Sequence, residues 1–210
     1  MAISENKITA DKIIIYIHGK GGNSLEAAHY EHFFKEGDVV GLDYKAQSPW
    51  EAKEEFPKLF AAAAQDYQSI EIIANSIGAF FAMNALMNER IEKAYFISPV
   101  VDMQKLILDM TWAGVTEREL QDKKEIQTNF GETLSWKYLC YVKEHPIIWT
   151  VPTYILYGEN DNLTSYDTIV DFVSKIKATL TVMKGGEHWF HTEKQMEYLD
   201  QWITGCISGE

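Results

Sequence analysis

The chain has 210 residues, of which 46% are hydrophobic and 24% charged, a size and composition typical of one globular domain with a sizeable core. Nineteen basic residues against thirty-one acidic ones give a net charge of −12, which disfavours nucleic acids and anionic membrane surfaces as partners. No apolar run approaches the roughly 20 residues of a transmembrane helix, and the first residues lack the apolar core of a signal peptide, so we expect no membrane partner.

Six short apolar runs predict strands that are buried on both faces, because they are rich in Ile, Val and Tyr and lack strict polar alternation. In chain order they are Ile13–Ile17, Val39–Leu42, Ile70–Ala74, Ala94–Ile97, Thr153–Tyr157 and Leu180–Met183. Helical patterns lie between or after them, at Leu25–Lys35, Trp50–Tyr67, Ile77–Met87, Tyr166–Ile176 and Thr192–Thr204. This alternation predicts a single α/β domain over residues 1–210, with a doubly wound, mostly parallel six-stranded sheet.

The region 101–149 breaks this alternation, because it has helical periodicity but no obvious strand. It is too long for a plain connection, so we expect a helical cap inserted between two strands. Its aromatic residues, Trp112 and Trp136 among them, either wall an apolar substrate pocket or pack the cap onto the domain, and both interpretations stay open. Trp189 is a third candidate for the pocket.

Ser76 stands where an apolar strand runs without a linker into a helix of small residues that starts with Ile77 and Gly78. A sharp strand-to-helix turn would hold its hydroxyl at the carboxyl end of the sheet and at the positive end of the new helix. Gly78 would let the helix and the strand approach closely. Ser76 is therefore the candidate nucleophile.

Three other segments follow strands in the same way. The glycine-rich turn His18–Asn23 follows the first strand and can supply a backbone N–H to an oxyanion. Asp161 follows the fifth strand and His188 the sixth. Because the carboxyl ends of parallel strands form one rim, these side chains should converge on Ser76. A serine hydroxyl needs an imidazole to accept its proton and a carboxylate to orient that imidazole.

Each partner of the serine has a rival. Asp161 stands in an Asn-Asp-Asn sequence that also fits an ordinary turn, and Glu159 and Asp102 are alternative acids. His191 is the alternative to His188, although the Gly-Gly pair before His188 favours the latter.

The remaining titratable residues receive structural interpretations. We expect His18 to brace the glycine-rich turn. His29 and His32 are three residues apart and could face a metal, but no third ligand is nearby, so we expect surface histidines and no metal site. Cys140 and Cys206 fit no CxxC pattern and suit a reducing compartment, which makes the cytoplasm the expected location.

Taken together, these segments resemble a small, serine esterase-like member of the α/β-hydrolase superfamily. The resemblance places the nucleophile elbow at 74–78, where the chain has Ala74 in place of the usual glycine. It implies Asp161 as the acid, His188 as the base, and the backbone N–H groups of Lys20 and Ile77 as oxyanion donors. The superfamily usually opens with an antiparallel pair of strands, and too few residues precede Ile13 for both, so we expect a trimmed, all-parallel sheet.

The function that this resemblance implies is hydrolysis of small carboxylic esters or thioesters through an acyl-enzyme, with no metal or organic cofactor. A peptidase, an amidase or an acyltransferase could use the same triad. A non-catalytic binding protein is the alternative from another class. The sequence also leaves a homodimer open.

Overall fold

A six-stranded, all-parallel sheet forms the centre of the computed structural model, which describes residues 11–86, 89–109, 114–128 and 133–209. The strands of this part of the chain are β1 (Lys12–Ile17), β2 (Gly37–Gly41), β3 (Ser69–Asn75), β4 (Lys93–Ile97), β5 (Glu125–Gln127), β6 (Thr133–Ser135), β7 (Thr153–Asn160) and β8 (Ala178–Glu187). The central sheet has the order β2-β1-β3-β4-β7-β8, and β5 pairs with β6 in a separate hairpin. The predicted six-stranded parallel sheet is confirmed.

Helices cover both faces of the sheet. They are α1 (Pro49–Ala64), α2 (Ile77–Ala85), α3 (Met103–Leu108), α4 (Glu117–Lys123), α5 (Trp136–Glu144), α6 (Tyr166–Lys175) and α7 (Glu193–Ser208), with a 3-10 helix at Ser24–Tyr30. Alternate residues of β1 point to opposite faces: Ile13 and Ile15 belong to the core under α1, α2 and α6, whereas Ile14 and Tyr16 belong to the core under α7 and the 3-10 helix. The doubly wound arrangement is therefore confirmed.

The pairing of β4 with β7 joins the two parts of the sheet that flank the inserted region. Ala94 pairs with Thr153 and Ile97 pairs with Leu156. All strands of the sheet run in one direction, so the residues that follow β3, β7 and β8 lie at one edge. The sheet thereby collects residues that are distant in sequence.

One predicted helix is wrong. The segment Leu25–Lys35 forms a seven-residue 3-10 helix at Ser24–Tyr30 rather than a longer α-helix. Its buried residues, Ala27 and Tyr30, are three apart, a spacing that a 3-10 helix satisfies as well as an α-helix does. Gly41 of β2 lies directly against the Ser24 backbone, because a Cβ there would be 1.9 Å from the Ser24 oxygen. This contact fixes the start of the segment close to the sheet.

The region 101–149 contains α3, α4 and α5, and also the β5–β6 hairpin that the sequence did not indicate. Each of these strands has only three residues, too few for an alternating pattern to stand out. The role of this region as a cap stays a prediction. Met87, where the helix that begins at Ile77 was predicted to end, lies outside the described residues. None of the helices within the described ranges is long and apolar enough to cross a membrane.

Candidate active site

Ser76 occupies the turn between β3 and α2 in a strained backbone conformation, with φ 52° and ψ −120°. A positive φ is uncommon for a residue with a side chain and costs about 1–3 kcal/mol. Hydrogen bonds to neighbouring segments hold the turn: the Ser76 amide donates to the Ile97 oxygen (2.9 Å), and the Val100 amide donates to the Ser76 oxygen (3.1 Å). The predicted sharp turn is therefore present at the predicted residue.

The turn depends on the close approach of α2 to the end of β1. A Cβ on Gly78 would lie 2.2 Å from the His18 oxygen and 2.8 Å from the Ile17 oxygen, so only glycine fits there. Ala74, in contrast, is a fully buried residue of β3 that pairs with Phe96 and Ile17 in the ladder. The sheet thus accommodates alanine at the first position of the elbow.

Two hydrogen bonds connect the three side chains that the sequence singled out. The Ser76 Oγ lies 2.8 Å from His188 Nε2, and His188 Nδ1 lies 2.8 Å from Asp161 Oδ2. The Asp161 side chain is fully buried and that of His188 is 14% exposed. A carboxylate can only accept, so Nδ1 carries the proton and Nε2 is left to accept the serine proton. This arrangement can activate a hydroxyl as a nucleophile.

The loop around Asp161 fixes the carboxylate from its other side. Asp161 Oδ1 accepts the amides of Leu163 (2.8 Å) and Thr164 (2.9 Å). The strands that carry the acid and the base also approach closely, because Gly158 of β7 and Gly186 of β8 face each other with no side chain between them. Both strands extend past their predicted ends.

The rival residues take part in other contacts. Glu159 accepts the Gly185 amide (2.8 Å). Asp102 caps α3 by accepting the Lys105 amide (2.8 Å). His191 lies with Nδ1 2.7 Å from the Trp189 oxygen. Among the described residues, it is Asp161 and His188, rather than these three rivals, that form the hydrogen-bonded line to the serine.

The proposed oxyanion donors flank the serine. Ile77 is the first residue of α2, so its amide belongs to the first turn of the helix, where no intrahelical acceptor exists. Lys20 lies in the turn after β1, next to Gly19, whose Cβ would be 3.2 Å from the Ser76 Cβ. The glycine-rich turn therefore passes directly beside the serine.

Tyr44 braces this turn, a role that the sequence did not indicate. Its hydroxyl donates to the His18 oxygen (2.7 Å), and its ring stacks on the His18 ring with centroids 4.2 Å apart. Burial, with nearby Glu26 and Glu55, raises the pKa of Tyr44, so the hydroxyl keeps its donor proton. Because its acceptor is a backbone oxygen, no motif in the sequence marks this pair.

The three tryptophans predicted for the pocket have different surroundings. Trp112 lies outside the described residues. Trp136 is partly buried and packs against the larger core, with the amines of Lys124 and Lys143 about 6 Å from its ring. Trp189 directly follows His188, is 69% exposed, and stacks on His191 with centroids 4.3 Å apart. An exposed aromatic side chain thus immediately follows His188 in the chain.

His29 of the 3-10 helix and His32, which follows that helix, have local partners. His29 Nε2 lies 2.8 Å from Asp200 Oδ1, and the His32 ring packs on Phe33 with centroids 3.7 Å apart. Within the described ranges, no group of three or more His, Cys, Asp or Glu residues could hold a metal ion. The expectation of no metal or organic cofactor stays a prediction.

Comparison with known proteins identifies the fold. The chain matches no protein-family model and no curated protein. Solved structures do match: Est1E from Butyrivibrio proteoclasticus superposes with a TM-score of 0.76 at 17% identity, over 98% of this chain and 90% of that one. A second Est1E structure, with ferulic acid bound, has a TM-score of 0.74 at 17% identity, over 98% of this chain and 91% of the other.

Two further structures give the same result. Alpha/beta hydrolase domain-containing protein 10 from mouse has a TM-score of 0.72 at 16% identity, over 94% of this chain and 90% of that one. A lipase-esterase related protein from Clostridium acetobutylicum has a TM-score of 0.62 at 12% identity, over 91% and 93% of the two chains. The chain therefore has the α/β-hydrolase fold, and the resemblance seen in the sequence is confirmed at the level of the fold.

Proposed function

We propose that this α/β-hydrolase-fold protein is a serine hydrolase that cleaves carboxylic esters of modest size through an acyl-enzyme. Ser76 is the nucleophile, His188 the general base and acid, and Asp161 the residue that orients His188. The observation that carries the proposal is the unbroken line of two 2.8 Å hydrogen bonds from the Ser76 hydroxyl to the buried Asp161 carboxylate.

The acylation step follows from the direction of these hydrogen bonds. Ser76 Oγ attacks the acyl carbon while His188 Nε2 accepts its proton, and the carbonyl electron pair moves onto the oxygen. The backbone N–H groups of Lys20 and Ile77 stabilise that oxyanion, and each such donor contributes about 3 kcal/mol. When the tetrahedral intermediate collapses, the imidazolium gives its proton to the leaving alkoxide.

Deacylation repeats the same steps with water as the nucleophile. His188 Nε2 removes a proton from the water, whose oxygen attacks the acyl carbon of the Ser76 ester. The proton then returns to Ser76 Oγ and the free carboxylic acid leaves. The charge on the imidazolium is balanced in each half-reaction by Asp161, which is held by two backbone amides.

The comparisons support an ester as the substrate. One of the two Est1E structures has ferulic acid bound, an aromatic carboxylic acid, and another similar protein is described as lipase-esterase related. We propose that Trp189, with Trp136 and Trp112 of the inserted region, contacts an apolar or aromatic acyl group. Thioesters can be cleaved by the same mechanism, so they should be tested beside the esters.

We propose a cytoplasmic enzyme that acts on small molecules. Cys140 and Cys206 are free thiols, which suits a reducing compartment. The net charge of −12 opposes binding to nucleic acids. Fractionation of cells that express the tagged protein tests the location, and recovery with membranes would contradict it.

A fluorophosphonate probe tests the nucleophile. We expect the folded protein to be labelled at Ser76, and Ser76→Ala to lose labelling and to lower ester turnover at least about a thousandfold. Ser174→Ala is the matched control, because Ser174 is a residue of α6 whose hydroxyl donates to the Asp171 oxygen of the same helix. Folded wild-type protein that resists labelling would contradict the proposal and favour a binding protein.

A substrate panel tests the bond that is cleaved. We expect turnover of nitrophenyl esters and of an aromatic acyl ester, with thioesters measured alongside and peptide amides not cleaved. Cleavage of amides at rates comparable to those of esters would favour a peptidase or amidase. Transfer of the acyl group to an added alcohol in preference to water would favour an acyltransferase.

A further inference from the structure

The segment 98–100, which follows β4, lies between the nucleophile turn and the acid loop. On one side, the Val100 amide donates to the Ser76 oxygen (3.1 Å). On the other side, the Pro99 oxygen accepts the hydroxyl of Thr164 (3.2 Å). The Ser98 amide donates to the Leu156 oxygen (2.8 Å) and so anchors the segment to β7. The three-residue segment therefore contacts both the Ser76 turn and the loop that carries Asp161 through its own backbone atoms.

Thr164 connects this segment to the acid. Its amide donates to Asp161 Oδ1 (2.9 Å), its hydroxyl donates to Pro99, and its own oxygen accepts the Tyr157 hydroxyl (2.8 Å). The residue is only 5% exposed, and Tyr157 is 1% exposed. Water therefore competes little for these hydrogen bonds, and removal of the Thr164 hydroxyl would leave a buried carbonyl oxygen without its side-chain donor.

The backbone of this segment is strained in the same sense as the nucleophile turn. Ser98 has φ 42° and Ser76 has φ 52°. Strained residues of this kind persist only where surrounding contacts determine their conformation. The segment thus offers a fixed support, rather than a pliable loop, between the tips of β3 and β7.

We infer that Thr164 is a positioning residue that ties the Asp161 loop to the Ser76 turn, so that the distance between acid and nucleophile is set by the protein backbone as well as by His188. This inference rests on the proposed function. In the described hydrogen bonds, Thr164 contacts neither the hydroxyl that reacts nor the imidazole, and it acts through Asp161.

The expected consequence is kinetic. A displaced carboxylate orients the imidazole less well and stabilises its charged form less, and both effects arise in the transition state. Substrate binding in the ground state does not use Asp161. Loss of the tie should therefore lower kcat and leave KM unchanged, which is the pattern of an interaction made in the transition state.

Thr164→Val removes the hydroxyl and keeps the shape of the side chain. Thr153→Val is the control for buried-hydroxyl loss, because Thr153 is a 3% exposed residue at the opposite end of β7. Its hydroxyl donates to the Val151 oxygen (2.8 Å) and accepts the Trp149 indole N–H (2.9 Å). Thr164→Val should lower the melting temperature by about 2–4 °C, and Thr153→Val by at least as much, because it also leaves the buried Trp149 N–H without its acceptor. Only Thr164→Val should lower kcat, by about tenfold or more, and Thr164→Ser should restore it.

The outcomes separate the inference from the proposed function. If Thr164→Val keeps the wild-type kcat while its melting temperature falls like that of Thr153→Val, the hydroxyl is structural only and the inference is overturned. Equal losses of kcat in both variants would overturn it as well. If the wild-type protein neither hydrolyses esters nor reacts with a fluorophosphonate, the proposed function fails, and the positioning role fails with it.

Discussion

Gly78→Ala is expected to impair both folding and activity, because it places one methyl group at the closest approach between α2 and the end of β1. The new Cβ would lie 2.2 Å from the His18 oxygen, 2.8 Å from the Ile17 oxygen and 3.1 Å from the His18 carbonyl carbon. All three are backbone atoms, so no side chain can rotate away to relieve the contact.

The magnitude follows from this overlap. Carbon and oxygen atoms that are not bonded pack at about 3.5 Å, so the two segments must separate by about 1 Å. Overpacking of this kind costs about 1–3 kcal/mol of stability, or about 3–10 °C in melting temperature for a domain of this size. The same shift moves Ser76 relative to the glycine-rich turn, and a displacement of about 1 Å in a catalytic site can lower the rate about a hundredfold.

The assay compares Gly78→Ala with Gly205→Ala in thermal unfolding, fluorophosphonate labelling and ester turnover. Gly205 lies within α7, and apart from its chain neighbours and the adjacent backbone of its own helix, no atom of the described residues lies within 4 Å of the position of its missing Cβ. Alanine favours a helix by up to about 1 kcal/mol over glycine, so the control should be at least as stable as the wild type and fully active. A Gly78→Ala protein with the melting temperature and turnover of the wild type would refute the reasoning.

Three further predictions test other parts of the structure. Asp161→Asn should keep the fold and lower kcat by about ten-thousandfold, because an amide no longer enforces the imidazole tautomer. Ester kinetics on the folded variant measure the loss. A loss of kcat below about tenfold would argue against Asp161 as the acid of the triad. Lys12→Met should lower the free energy of unfolding by about 1–3 kcal/mol, because Lys12 Nζ lies 2.8 Å from the Glu71 carboxylate, which is only 5% exposed. An unchanged midpoint of unfolding in urea would contradict this prediction. Burial raises the pKa of the Cys206 thiol to about 11, so at pH 8 only about one part in a thousand is thiolate, and alkylation of Cys206 should accelerate about tenfold per pH unit towards pH 10. Peptide mapping should find that Cys140, which is only partly buried, is modified first. Equal alkylation rates of the two cysteines at pH 8 would contradict the prediction.

The strands and the proposed triad could be predicted from the sequence because both rest on local patterns. The β1 strand shows its burial directly, since Ile13–Ile17 contains no polar residue apart from a tyrosine. Ser76, Asp161 and His188 each follow such a strand, and the parallel direction of the sheet then decides that they meet. The strand order was not needed for this prediction.

The parts that could not be predicted depend on backbone groups of distant segments. Tyr44 and Thr164 both donate to carbonyl oxygens, which every residue carries, so no residue type marks the partner. The 3-10 helix at Ser24–Tyr30 has a spacing of buried residues that also fits an α-helix, and the contact of its first residue with Gly41 of β2 cannot be read from the local sequence. Tertiary packing determines contacts and helix types of this kind, and the local periodicity of the sequence does not show them.

The junction between β4 and β7 has a consequence for the assembly of the protein. Ser76 belongs to the half of the sheet formed before the inserted region, and Asp161 and His188 belong to the half formed after it. A slip of one residue where Ile97 meets Leu156 would translate the second half by about 3.3 Å and turn its inward side chains outward. If the proposed triad is catalytic, turnover reports correct alignment across this junction, and a compact protein with the wrong register would be inactive.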